Sequence, residues 1–156
     1  MAAMSDSFEN KYIDWFFRAQ ALGVAGASAA AGTGPTSLFV GLLTANPTDS
    51  TAGTEVTGGS YARVAVVSSL ANWAGTQGAG TTVASSGASG TTSNNGVITF
   101  PTPSAPWGVV TGFAIYDSLT AGAILYFGAL TANKTINNGD PAPSYAAAAL
   151  TVQVDN

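Results

Sequence analysis

Between residues 64 and 116 the chain carries no charged side chain, and the whole sequence has only twelve in 156 residues. A segment that stays disordered in water is normally rich in charge and poor in apolar groups. This one is built instead from Gly, Ser, Thr, Ala and Asn between short apolar runs. Its loop at residues 68–95 is therefore expected to be laid on a surface, and the exterior to be wetted by hydroxyls and amides and covered by neighbouring subunits. The length fits one domain with a sizeable core.

The missing residue types narrow the chemistry. With no histidine, the common general base, proton shuttle and metal ligand are absent. With no cysteine, thiol nucleophiles, thiolate metal sites and disulfides are excluded. The net charge of −4 and four scattered cations, Lys11, Arg18, Arg63 and Lys134, argue against phosphate-directed binding to nucleic acid. No run is long and apolar enough to span a membrane. Acidic Asp6, Glu9 and Asp14 precede the small apolar stretch at 19–32, which does not fit a secretory signal.

The N-terminal segment reads as a helix. Phe8, Tyr12, Trp15, Phe16, Ala19 and Leu22 recur at steps of three and four. Asp6 with Glu9 resembles a capping box, Ser5 is an alternative cap, and Gly23 marks the stop. Ile13 and Phe17 lie off this stripe, so the helix is apolar on more than one side. It either covers its own domain or is shared with another subunit. Phe8, Tyr12, Trp15, Phe16 and Phe17 are the candidate interface residues.

Residues 24–35 form a small-residue linker, after which the character turns to β. Strands are predicted over 37–44, 61–67, 97–100, 109–117, 123–130, 134–136 and 149–154, bounded by Pro, Gly and Asn turns. The runs at 109–117 and 123–130 make an antiparallel hairpin. Residues 68–95 form a long Gly/Ser/Thr-rich excursion, with Trp73 as its anchor. The expected fold is mainly β: an antiparallel, jelly-roll-like β-sandwich over 37–156, with an N-terminal α-helical arm over 1–36.

Asp49, Glu55, Asp117 and Asp140 are the carboxylates that a glycosidase-like pair could draw on. All lie in or beside turns, where acidic groups cap the backbone, and Glu55 can pair with Arg63. Asn137, Asn138, Gly139 and Asp140 could offer some of the five or more oxygens that calcium needs, but Asn138-Gly139 already reads as a turn. Tyr61, Trp73, Trp107, Tyr116, Tyr126 and Tyr145 could line a glycan groove, but packing within strands is their commoner use. The reading assigns no catalytic, cofactor or metal site.

Five blocks carry a family resemblance: LFVGLLTANPTD from Leu38, GTEVTGGSYARVAV from Gly53, NNGVITFP from Asn94, WGVVTGFAIYD from Trp107 and AILYFGAL from Ala123, closed by ALTVQVD. Together they resemble small tailed-bacteriophage virion proteins labelled as tail-fibre proteins, some of them similar to capsid decoration (cement) proteins. The resemblance spans residues 4–155. It implies a structural component of the virion rather than an enzyme. Its expected partners are further copies of itself, as a homotrimer, and the major capsid protein or other virion proteins, with no nucleic acid or membrane. The expected role is capsid decoration, a tail-fibre or baseplate subunit being the alternative.

Overall fold

The computed structural model describes residues 4–24, 34–48 and 50–154. One helix and nine strands follow in the order α1 (Asp6–Arg18), β1 (Ser37–Ala45), β2 (Thr54–Glu55), β3 (Val64–Val67), β4 (Thr91–Ser93), β5 (Ile98–Thr99), β6 (Gly108–Tyr116), β7 (Ile124–Ile136), β8 (Ser144–Tyr145) and β9 (Thr151–Gln153). The fold is mainly β, the β1–β2, β1–β6, β6–β7 and β4–β9 pairs are antiparallel, and the helix is N-terminal, in line with the sequence. The linker expected at 24–35 lies largely outside the described residues, as does Asp49.

The chain divides into two compact units. The first unit takes Met1–Ser37, Val67–Ile98 and Tyr145–Asn156. The helix shares this unit with the Gly/Ser/Thr-rich excursion and the C-terminal strand. Strands β4 and β9 pair antiparallel, Thr92 opposite Val152. Asn94 ties this ladder further: its Oδ1 accepts from the Leu150 amide, and its Nδ2 donates to the Ala146 carbonyl. Ile13, Phe17, Trp73, Leu150 and Val152 are buried here. Phe17 and Trp73 pack with ring centroids 5.1 Å apart, so Trp73 is the anchor that its isolation among polar residues predicts.

Helix α1 turns inward the face that lies off its aromatic stripe. Ile13 and Phe17 are buried together with Glu9, Asp14 and Arg18. Ser5 is the N-cap residue, without a side-chain hydrogen bond. The helix ends at Arg18, before Gly23, because Ala19 turns left-handed and the Gln20 amide closes onto the Asp14 carbonyl.

The second unit takes Leu38–Val66 and Thr99–Ser144. It holds the five-stranded sheet, in the order β2-β1-β6-β7 with β3 also on β1. In β1, flanked by strands on both edges, the run SLFVGLLTA is apolar nearly throughout, as a buried strand requires. It pairs with β6 in the register Phe39↔Tyr116 to Leu43↔Gly112. β6 and β7 form the predicted hairpin, which runs longer than expected and absorbs the weak strand at 134–136. Gly41 is required where it stands. A Cβ there would come within 2.9 Å of Glu55 Oε1, Tyr116 Cε2 and the Tyr61 hydroxyl. Strands β5 and β8 form a separate two-stranded ladder.

Candidate functional site

The first unit is organised around Arg18. Its side chain is fully buried, and every N–H of its guanidinium has an acceptor. Nε donates to the Trp73 carbonyl at 3.0 Å. One terminal nitrogen donates to Asp14 Oδ1 and to Ser85 Oγ. The other donates to the carbonyls of Thr81 at 3.3 Å and Val83 at 2.6 Å. Asp14 completes the clamp by accepting from the Ser85 amide at 2.8 Å and the Ser85 hydroxyl at 2.6 Å. Asn10 adds a bond from the Thr76 hydroxyl. One helix turn thus holds a loop whose own side chains offer little to bury. The loop packs tightly on itself too: a Cβ at Gly87 would lie 2.3 Å from the Thr76 carbonyl oxygen.

The second unit carries a parallel arrangement around Arg63. Nε donates to Glu55 Oε1 at 2.8 Å and one terminal nitrogen to Oε2 at 2.7 Å, a two-point fork. The other terminal nitrogen donates to the carbonyls of Ser118 and Ala121, at 2.7 and 2.6 Å, fastening the β6–β7 turn. The guanidinium lies 3.3 Å above the Tyr116 ring centroid. Tyr61 links this cluster to the sheet: its hydroxyl accepts from the Leu42 amide and donates to Glu55 Oε1, both at 2.8 Å. Partial burial pushes the Glu55 carboxyl up, but hydrogen bonds from Arg63 and Tyr61 outweigh it, and the group sits below the usual carboxylate range. Burial, reinforced by the charge of Glu55, raises the Tyr61 phenol above its ordinary value.

Beside this cluster runs an open trough of about 700 Å³. Thr48, Ser50 and Thr51 line one side, and Ile124, Leu125 and Phe127 of β7 the other.

The carboxylates singled out in the sequence have structural occupations where they are described. Glu55 is committed to Arg63 and Tyr61. Asp117 accepts from the Ala123 amide at 2.8 Å across the hairpin turn. Asp140 accepts from the Asn137 amide at 2.7 Å. Among the described residues no group of three or more His, Cys, Asp or Glu could hold a metal ion.

The five aromatics of α1 divide. Phe8 is 38% exposed. Tyr12, Trp15 and Phe16 are half-buried and form a ring cluster, with Tyr12 stacked on Phe16 at 5.6 Å. Phe17 is fully buried and belongs to the core of its own unit. Sequence reasoning missed the Arg18 clamp. Its one local signal was the Asp14–Arg18 spacing of four, which on a helix usually marks a solvated pair.

A family model described as podophage GP4 fiber I protein gp80 matches residues 3–153. No curated protein matches the chain.

Proposed function

The chain belongs to the podophage GP4 fiber I protein gp80 family, and from that premise we propose that it is a structural subunit of a fibre carried on a phage virion. The match over residues 3–153 carries this reading. The chemistry of these side chains agrees with a mechanical role. Glu55, Asp117 and Asp140 hold turns and a loop clamp rather than converging on a shared reaction centre. Each arginine that the structure buries fastens a loop, so rigidity comes from a few well-placed charges under a neutral exterior.

Attachment to a neighbouring virion protein uses the outer face of α1, through Phe8, Tyr12, Trp15 and Phe16. Exposed Phe8 is the observation that supports it, since large exposed apolar groups that cluster mark contact surfaces. Phe17 contributes indirectly, by seating the helix.

A sequence without heptads or fibre repeats over these residues favours a second reading as a capsid decoration protein. A subunit of that kind would bridge neighbouring capsomers and oppose internal pressure. Copy number and position separate the two. Quantitative gel densitometry of purified particles, with immunogold labelling, is expected to give few copies gathered at a fibre. Hundreds of copies spread over the shell would replace the fibre reading by decoration. Absence from purified particles would sink both.

A further inference from the structure

Two Asn-Gly dipeptides occur in the chain, Asn95-Gly96 and Asn138-Gly139. Such a dipeptide carries a reaction of its own. The main-chain nitrogen of the glycine can attack the side-chain carbonyl carbon of the asparagine, and no Cβ on the glycine stands in the way. Groups tethered this closely meet at a high effective concentration. In a folded chain the rate then depends on whether the asparagine side chain is free to turn toward that nitrogen.

The two sites differ in this respect. Asn95 is half-buried and fastened at both ends of its side-chain amide. Its Oδ1 accepts from the Gly80 amide at 3.0 Å, and its Nδ2 donates to the carbonyls of Leu70 at 3.3 Å and Thr81 at 3.2 Å. Its main-chain amide donates to the Asn72 carbonyl at 2.7 Å. Asn138 is exposed in the turn after β7, and among the described residues nothing bonds its side chain. The flanking residues close on each other instead. The Asp140 carboxylate accepts from the Asn137 amide at 2.7 Å, and the Asp140 amide donates to the Asn137 carbonyl at 3.3 Å. Gly139 has a φ of +78°, and a Cβ there would meet nothing within 4 Å, so the space around the dipeptide is open. One contact opposes the reaction: the Gly139 amide donates to the Pro103 carbonyl at 3.1 Å. Opening one such bond slows the attack by about twofold to tenfold. Releasing the Asn95 side chain means opening three, which slows it on the order of a hundredfold.

We propose that Asn138 is a site of spontaneous chemical modification, which deamidates in the folded chain while Asn95 is preserved. Hydroxide removes the Gly139 N–H proton, and the nitrogen forms a bond to the Asn138 Cγ. The Cγ–Nδ2 bond breaks, and the departing nitrogen takes a proton from water to leave as ammonia. The resulting five-membered imide then takes up one water. Opening at Cγ leaves an aspartate, and opening at the main-chain carbonyl leaves an isoaspartate, whose main chain runs through the former side-chain methylene. Either product adds one negative charge beside Asp140 and takes the net charge of the chain from −4 to −5. The isoaspartate also lengthens the turn by one atom and so strains the Gly139–Pro103 bond. In a chain with twelve charged side chains, this is a large change to a neutral exterior, whatever the station of the subunit on the virion.

The full chain is incubated at 37 °C and mildly alkaline pH, and aliquots are digested with trypsin and mapped by mass spectrometry. Cleavage after Arg63 and Lys134 places Asn95 in the fragment 64–134 and Asn138 in the fragment 135–156. In the folded chain the acid product should accumulate at Asn138 at least about tenfold faster than at Asn95, the difference between opening one bond and three. Isoelectric focusing should show the matching acidic band, and the rate should rise with pH. In guanidinium chloride the two sites should react at similar rates, because the fold alone protects Asn95. Asn138→Gln should remove the acidic band from the folded chain. Equal rates at the two sites in the folded chain, faster reaction at Asn95, an Asn138 that stays intact while the unfolded chain reacts at both, or an acidic band untouched by Asn138→Gln would overturn the proposal.

Discussion

Arg18 and Arg63 perform the same task at opposite depths. Each pairs with a carboxylate and spends its remaining N–H groups on the carbonyls of a loop. Arg18 is entirely buried and directs five bonds at oxygen, three of them at the main-chain carbonyls of Trp73, Thr81 and Val83. Arg63 and Glu55 keep side-chain exposures of 8% and 21%, and Arg63 makes four bonds with one ring face against Tyr116. The difference shows what a buried cation can do in a chain with few apolar anchors. A loop made of Gly, Ser, Thr and Ala cannot hold itself by the hydrophobic effect. It can be held by surrounding one charge that has nowhere else to go. At the more open site the clamp shares its work with packing, because Tyr61 stands 5.3 Å from Trp107 and stacks at 6.4 Å on Phe100.

The largest test of this contrast is Arg18→Met. Removing one partner of a buried pair leaves the other charge uncompensated, which costs about 3–5 kcal/mol. Denaturant unfolding should register a loss of that size, and amide exchange over residues 75–90 should quicken. Asp14→Leu added to Arg18→Met should recover a good part of it, since the pair removed together leaves no lone charge. A loss below about 1 kcal/mol would break the comparison. It would mean that the loop's internal bonds, such as Gln77 to the Ala84 carbonyl and Ser89 to the Thr76 carbonyl, already suffice.

A middle effect is expected at the partly open clamp. Glu55→Gln removes the charge but keeps the shape, and should cost about 1–2 kcal/mol, within the range for hydrogen bonds to charged groups. The pH dependence sharpens the assignment. The folded Glu55 value lies below its unfolded one of about 4.3, so the unfolded chain binds its proton first. Its contribution is present above that value and disappears as pH falls through the folded value. Urea midpoints measured from pH 6 downward should therefore fall less steeply in Glu55→Gln than in the parent. Equal acid slopes would mean that the fork contributes nothing. The same series in high salt should erode the Glu55–Arg63 contribution more than the Asp14–Arg18 one, because screening reaches exposed charges.

Much of this was legible before any coordinates. The apolar runs bounded by Pro35, Asn46-Pro47 and Pro101 became β1 and β5, and the strongest pair became the β6–β7 hairpin. These signals are local, so they survive folding. Strands β2, β4 and β8 were not predicted, because TE, TTS and SY carry no periodicity and exist only through their ladders. The helix was placed correctly, with Ile13 and Phe17 read as apolar off the aromatic stripe, but the burial of its charged residues was not legible. Hydropathy sends Glu9, Asp14 and Arg18 outward. The structure buries Asp14 and Arg18 because residues more than sixty positions away satisfy them. No window-based reading can register a charge whose partners are carbonyls of a remote loop.

The smallest effect belongs to Asp140, and it tests whether depth is the variable that matters. Its carboxylate accepts from the Asn137 amide at 2.7 Å, in an exposed turn and with no cation bonded to it. Asn offers the same acceptor without the charge and suits turns equally well. Asp140→Asn should therefore move the unfolding midpoint by no more than about 0.5 kcal/mol, the usual range for surface changes. The three carboxylates Asp14, Glu55 and Asp140 then form a series in which oxygen geometry is similar and burial falls. If Asp140→Asn were to cost as much as Glu55→Gln, burial and pairing with a cation would not be what sets the worth of these carboxylates, and the strength of the Arg18 clamp could not be credited to its depth.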